Sequence, residues 1–231
     1  MARATTKRKP PVNQQKRQLI ADVNKHSPIA EQYRTIRTNI EYSAIDKEIN
    51  TLLVTSAGPG EGKSTTASNL AVVMGQNGQR VLLIDSDMRK PTAHYTFGMM
   101  NTRGLTNVLS RQQKLEDVVQ NTSIENVELL TCGPIPPNPA ELLSSKMMEM
   151  LLHQASAEYD IVILDTPPVM AVADAQILSN KVDGTIIVTS SGKTDREQIE
   201  KTKENLLKVN ANILGVVLNN KPVDEKTYYY Y

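Results

Sequence analysis

The sequence predicts an α/β fold, a doubly wound and mostly parallel sheet with helices on both faces. Three stretches carry that expectation. Leu52-Leu53-Val54-Thr55 is an apolar strand that runs into the glycine-rich segment Ala57-Gly58-Pro59-Gly60-Glu61-Gly62-Lys63-Ser64 and then a helical pattern from Thr65 to Met74. Val81-Leu82-Leu83-Ile84-Asp85 and Ile161-Val162-Ile163-Leu164-Asp165 are two further apolar runs, each ending in aspartate. Short apolar runs that alternate with helical patterns read as strands of a parallel sheet covered on both faces.

A chain of 231 residues fits one such domain. Hydrophobic residues make up 39% and Trp is absent, so the core rests on Leu, Ile, Val and Met. Lys plus Arg is 26 against 25 acidic residues, a net charge of +1 that argues against nucleic-acid binding by bulk charge. The single Cys132 excludes an internal disulfide and a multi-cysteine metal site, and fits a reducing compartment. No apolar run approaches the ~18 residues of a membrane span, and no apolar segment follows the N-terminal charges. The expectation is a cytoplasmic chain.

Met1 to Lys25 carries seven cations against the one acid Asp22, with Pro10-Pro11 in the middle. By composition residues 1–26 are a flexible basic arm, either solvated or attracted to an anionic membrane face or an acidic partner. Residues 27–222 form the phosphate-loop domain and 223–231 a flexible tail. Ser27-Pro28 reads as a helix cap with proline in the first turn, opening a helix to about Ser43. Ile29, Tyr33, Ile36 and Ile40 line up as one apolar stripe. Glu31, Arg34 and Arg37 follow at steps of three beside it, as local ion pairs or as a lateral contact with another copy.

The stretch from Ala57 to Ser64 is a Walker A phosphate loop with alanine where the pattern has its first glycine. Gly58, Gly60 and Gly62 let the backbone turn tightly and aim its amides at phosphate oxygens, and the helix N-terminus adds partial positive charge. Pro59, Glu61 and Thr65 complete the candidate nucleotide-binding stretch. Lys63, taken as a surface-loop cation without a packing role, would reach the β- and γ-phosphates, and the Ser64 hydroxyl would ligate Mg²⁺. Asp85 and Asp87 fall where the second strand emerges at the ligand-binding end of the sheet. Extended chain would point both the same way.

Asn101 to Asn126 reads as small helices over the sheet edge, and Val127-Glu128-Leu129-Leu130 as a strand. A proline-stiffened loop, 133–139, leads into one helix through Met147, Met148, Met150 and Leu151, whose methionines are expected in the core. Asp165 ends the Walker B strand and would hold Mg²⁺ directly or through water. Thr166-Pro167-Pro168 turns the chain away. A strand at Thr185 to Thr189, a helix from about Thr194 to Val209 and a last strand, Ile213 to Leu218, complete the domain, with Asn219 a candidate adenine contact. Four of the eight tyrosines, Tyr228, Tyr229, Tyr230 and Tyr231, end the chain, where they make sense as a substrate for another active site.

With the phosphate loop, the strand end Ile84-Asp85-Ser86-Asp87-Met88-Arg89, the strand end Ile163-Leu164-Asp165 and the tyrosine tail in place, the sequence resembles the bacterial protein-tyrosine kinases of the capsule and exopolysaccharide type, over about Ser27 to Tyr231. The resemblance implies the second acidic motif of that family at Asp85 and Asp87, and its Glu-x-x-Arg-x-x-Arg oligomerisation motif at Glu31, Arg34 and Arg37, which favours a subunit contact. It implies ATP and Mg²⁺ as cofactors, with Ser64, Asp85 and Asp165 as metal-holding residues. Lys63, Asp85 and Asp87 would be catalytic, Asp87 accepting or orienting the phenolic proton with Asp85 as the alternative. It implies a homo-oligomer, with a ring favoured, that phosphorylates its own tyrosine cluster between subunits, and other tyrosine-containing protein substrates. A transmembrane activator would recruit it to the inner face of the membrane, and a cognate phosphotyrosine phosphatase would reverse the reaction.

Three other readings compete. Positioning ATPases of related fold carry a signature lysine where this chain has Gly58. A GTPase would need Asn-Lys-x-Asp, but Asn220-Lys221-Pro222-Val223-Asp224 puts the aspartate one residue late. A nucleotide-bound adaptor has only the tail in its favour.

Overall fold

The computed structural model describes residues 19–43 and 48–222; Tyr228–Tyr231 and the first eighteen residues lie outside them. A seven-stranded sheet has the order β3-β4-β2-β5-β1-β6-β7, with β1 Thr51–Ser56, β2 Val81–Asp85, β3 Gln120–Asn121, β4 Val127–Leu130, β5 Ile161–Asp165, β6 Gly184–Ser190 and β7 Ile213–Asn219. Every pairing is parallel except that of β3 with β4. Alternate residues of the central strands feed opposite faces, as the period of two requires. Leu52, Val54, Leu83 and Ile163 pack under α1 (Ile20–Val23), α2 (Pro28–Ser43) and α3 (Lys63–Gly75). Leu53, Leu82, Ile84 and Leu164 pack on the other face, with Leu105 of α5 (Leu105–Leu109), Leu143 of α6 (Pro139–Ser144), Met148 and Leu151 of α7 (Lys146–Glu158) and Leu178 of α8 (Asp174–Ser179). A smaller cluster joins Ile187 to Leu206 of α9 (Arg196–Leu207). Among the described residues the remaining α-helix, α4, is Ala93–Phe97, and Leu115–Asp117 form a short 3-10 helix.

The cap expected at Ser27 is formed, its Oγ accepting the Ala30 N–H at 3.1 Å. The stripe along α2 is rotated from the expected one. Ala30, Tyr33 and Ile40 are buried, Ile36 is partly buried and Ile29 is exposed, because the small Ala30 lets the helix lie close to its neighbours. Packing also begins before residue 27. Ala21 is wholly buried, its N–H donating to Asn69 Oδ1 and its carbonyl accepting from Gln76 Nε2, which ties α1 to α3.

The single helix expected after Pro139 is two, broken at Ser145, which ends α6 and caps α7 through its hydroxyl. A serine competes for local backbone bonds, so it favours a new start over continuation. Of the methionines, Met148 is buried and Met150 is exposed on the outer side of α7. Two elements have no strong local signal: β3 is two polar residues held only by β4, and α8 is one short turn-and-a-half after the proline bend.

Candidate active site

The crossover from β1 to β2 spans β5, and β6 lies on the other side of β1, so the strand order reverses at β1. Ligands in doubly wound sheets sit at the carboxyl ends of the strands at this reversal. The phosphate loop leaves β1 there. Gly62, at φ +99°, starts α3, and a Cβ on it would lie 1.9 Å from Asn219 Nδ2. Among the described residues the amides from Gly60 to Thr65 make no protein hydrogen bond, so they are free to face phosphate.

Register brings the acids together. Asp85 of β2 pairs with Asp165 of β5, and Asp165 lies beside Val54 of β1, just before the loop. Neighbouring strands are ~4.8 Å apart, so carboxylates 80 residues apart in sequence become adjacent. Lys63 reaches over them: its Nζ donates to Asp87 Oδ2 at 3.1 Å, to Asp165 Oδ1 at 3.4 Å and to Ser64 Oγ at 3.2 Å. With 13% of its side chain exposed, Lys63 is the buried counter-ion of this cluster and not the surface cation expected from the sequence. Burial opposes its charge, yet Asp165 and Asp87 outweigh burial and raise the lysine's pKa. Asp165 balances the other way. Its burial outweighs Lys63 and Ser64 and pushes its pKa up. The causes differ: the carboxylates raise Lys63 against its burial, whereas burial first, with Asp87 adding to it, raises Asp165 against the pull of the one ammonium.

Asp85, the last residue of β2, and Asp87, just beyond it, do not point the same way, contrary to the expectation from extended chain, because the strand stops at Asp85 and the chain turns, with the Met88 N–H donating to Ser86 O. Asp85 is wholly buried. Its Oδ2 accepts the Thr92 and Ala93 N–H groups, both at 2.9 Å, and its Oδ1 the Asp87 N–H at 3.3 Å. Burial, then Asp165, raises its pKa against the opposing pull of the Ala93 amide. Asp87 holds the Arg89 and Lys90 amides with Oδ1 and presents Oδ2 to Lys63. Asp87 is thus the carboxylate of this pair that faces the loop.

Several residues here were not singled out from sequence. Arg89 forms a fork onto buried Asp174, Nε to Oδ2 at 2.9 Å and Nη2 to Oδ1 at 3.0 Å, which ties the turn after β2 to α8. Thr194 donates to Glu61 Oε1; Glu61 was expected in the nucleotide-binding stretch, but no local pattern marks Thr194 as its partner. Of the residues expected at the site, Gly58 to Thr65, Asp85, Asp87, Asp165 and Asn219 gather at this end of the sheet. Asn219 donates to Glu61 O at 2.9 Å. Glu31 and Arg34 pair with each other on α2, while Arg37 bonds Val73 O of α3 and pairs with Glu41.

The donor set suits Mg²⁺. It offers hard oxygen ligands, a hydroxyl and a surplus of negative charge. Among the described residues no group of three or more His, Cys, Asp or Glu side chains makes a ready cage. Mg²⁺ held by one or two carboxylates plus phosphates needs none.

A family model described as an AAA domain matches residues 49–214. The tyrosine-protein kinase YwqD of Bacillus subtilis (strain 168) is 53% identical over 215 residues, 93% of this chain and 91% of the relative. Among solved structures, the chimerical protein CapA2B2 matches with a TM-score of 0.86 at 42% identity, covering 89% of this chain and 90% of that one. The kinase domain of the Escherichia coli tyrosine kinase ETK matches with a TM-score of 0.84 at 32% identity, covering 99% and 87%. The positioning-ATPase and adaptor readings are therefore not favoured. On these identities and coverages, the chain belongs to the bacterial tyrosine-protein kinases of capsule and exopolysaccharide synthesis.

Proposed function

We propose that the chain binds ATP along Gly58 to Thr65 and transfers its γ-phosphoryl group to a tyrosine hydroxyl in the cluster Tyr228–Tyr231 of a neighbouring copy. The observation that carries this reading is the meeting of Lys63 with Asp87 and Asp165 beside the amides of the loop. Ser64 and Asp165, with Asp85 behind them, would hold Mg²⁺, which when bound neutralises charge on the β- and γ-phosphates. Lys63 would leave its carboxylates for the phosphates. The loop amides would take up charge on the transferred group. Asp87 would accept the phenolic proton as the new oxygen–phosphorus bond forms and the bond to the ADP oxygen breaks. A phenol of pKa ≈ 10 needs only modest help. Asp85 is less suited to that task, since both its oxygens already accept backbone amides.

Tyr228 follows Asn219 by nine residues, a reach of roughly 30 Å when extended. Subunits joined through Glu31, Arg34 and Arg37 in a ring would hold each tail near the next loop at high effective concentration. Each phosphate adds about −1.5 to −2 charges, so a phosphorylated tail would be repelled from the acidic site and the ring would open. A cognate phosphatase would restore it. Among the described residues no helix is long and apolar enough to cross a membrane, which fits recruitment to the inner face by a transmembrane activator. In this reading the cations that precede Leu19 in the sequence and the tyrosines that follow Pro222 are functional segments separate from the domain, while α1 belongs to it.

The test is to mix a Lys63→Met subunit with a tail-less, otherwise intact subunit, add ATP and Mg²⁺, and measure intact masses. Phosphate should appear on the Lys63→Met tail. Labelling confined to chains that carry both loop and tail would overturn transfer between subunits, and no labelling of the parent would overturn the kinase reading of these residues.

A further inference from the structure

We infer that Glu61 is a positioning residue for nucleotide binding, whose carboxylate braces the phosphate loop from inside and anchors it to Thr194. The inference rests on the reading of this loop as the ATP site. Glu61 is 6% exposed in a loop meant for anions, a costly place for a carboxylate unless it is fully hydrogen-bonded. It is so bonded. Oε2 accepts the Ala57 N–H at 3.1 Å, and Oε1 accepts the Gly58 N–H at 3.2 Å and the Thr194 hydroxyl at 2.9 Å. Thr194 Oγ1 in turn accepts the Ser190 N–H at 3.0 Å, which fixes the hydroxyl. The backbone of the same residue is held from the other side, since Asn219 Nδ2 donates to Glu61 O. Asn220 Nδ2 closes the circuit onto Ser190 Oγ at 2.9 Å.

The division of amides gives the brace its purpose. Glu61 occupies the two at the entry of the loop and leaves those from Gly60 to Thr65 for phosphate. A segment with glycine at 58, 60 and 62 has wide backbone freedom, and ordering it only when nucleotide arrives would weaken binding. A plain negative charge at this place would do the opposite of what a brace does. Its removal would relieve repulsion and tighten ATP binding.

The sign of the effect therefore decides. ATP and ADP affinities are measured by calorimetry on the full chain for the parent, Glu61→Ala, Glu61→Gln, Thr194→Ala and Thr194→Ser, at a temperature well below each melting point. Glu61→Ala should raise Kd about tenfold, the worth of one charge-assisted hydrogen bond. KM for ATP should rise with it while kcat at saturation stays within about threefold, the split that marks loss of uniform binding. Glu61→Gln, keeping one acceptor, should fall between. Thr194→Ala should weaken binding several-fold, Thr194→Ser should restore it, and the double Glu61→Ala/Thr194→Ala should bind no worse than Glu61→Ala. A Glu61→Ala protein that binds ATP as tightly as the parent, or more tightly, overturns the inference. So do Thr194→Ala and Thr194→Ser proteins that behave alike, and this pair decides if Glu61→Ala does not fold. A parent that binds no ATP overturns the reading of the site instead.

Discussion

Removing the Lys63 ammonium tests the electrostatics of the site apart from its chemistry. Lys63→Met keeps most of the apolar stem and deletes the charge. At an effective dielectric of ~20, the contacts at 3.1 and 3.4 Å each hold about 5 kcal/mol of gross attraction. Much of that is offset by the cost of burying the ammonium, and removing one partner of a buried pair costs roughly 3–5 kcal/mol net. For a chain of this size that loss lowers Tm by roughly 6–20 °C. The deficit should also depend on pH. Asp165 has a folded-state pKa raised by burial above the ordinary 3.8. A raised carboxylate contributes stability below its unfolded value and loses it as pH rises through the folded one. Without Lys63 the shift is larger, so the gap between variant and parent should widen from pH 4 upward. Calorimetric or circular-dichroism melts across pH, in metal-free buffer, measure it. Added Mg²⁺, taking the place of the ammonium, should recover more stability in the variant than in the parent. A variant that melts with the parent at every pH would refute the counter-ion argument, even if it had lost all phosphate transfer.

Other outcomes follow from particular contacts. Gly62→Ala should cost about 1–3 kcal/mol from its left-handed backbone and displace Asn219, weakening ATP binding; adding Asn219→Ala should relieve the clash but not the strain, as melts and nucleotide titrations would reveal. Cys132 is fully buried, and burial followed by Asp85 pushes its thiol up to about 12, so iodoacetamide at pH 8 should leave the folded chain unmodified and add one group after unfolding, by intact mass. Replacing Glu31, Arg34 and Arg37 together by Ala should lower the mass seen by light scattering relative to an oligomeric parent while ATP affinity holds. Loss of the Arg37 bond to Val73 should itself cost about 1 kcal/mol, read from a urea melt.

Sheet class and the loop were legible because each rests on local chemistry. Leu52 to Val54 and Ile161 to Leu164 are apolar on both faces, and a phosphate loop needs its glycines and lysine at fixed spacing in one stretch. The two-residue β3 was not legible, since Gln120-Asn121 has no strand preference apart from β4. The break at Ser145 was hidden in a run rich in helix formers. Asp85, Asp87 and Asp165 could be named from the ends of two apolar runs, and the resemblance gave them roles, but no spacing in the sequence fixes their contacts. Which carboxylate faces Lys63 and which one holds backbone amides depends on where the chain turns after β2 and on what α4 presents to it.

Sequence by itself determined that this chain carries a phosphate loop, acidic strand ends and a tyrosine-rich end, for these are covalent spacings that survive any fold. Tertiary structure alone decided that Asp85 stands opposite Asp165, that Lys63 is buried between carboxylates, and that Glu61 reaches Thr194, 133 residues away. Strand order and register set those distances. A hydrogen bond or an ion pair within 4 Å exists only once the whole sheet has closed around it.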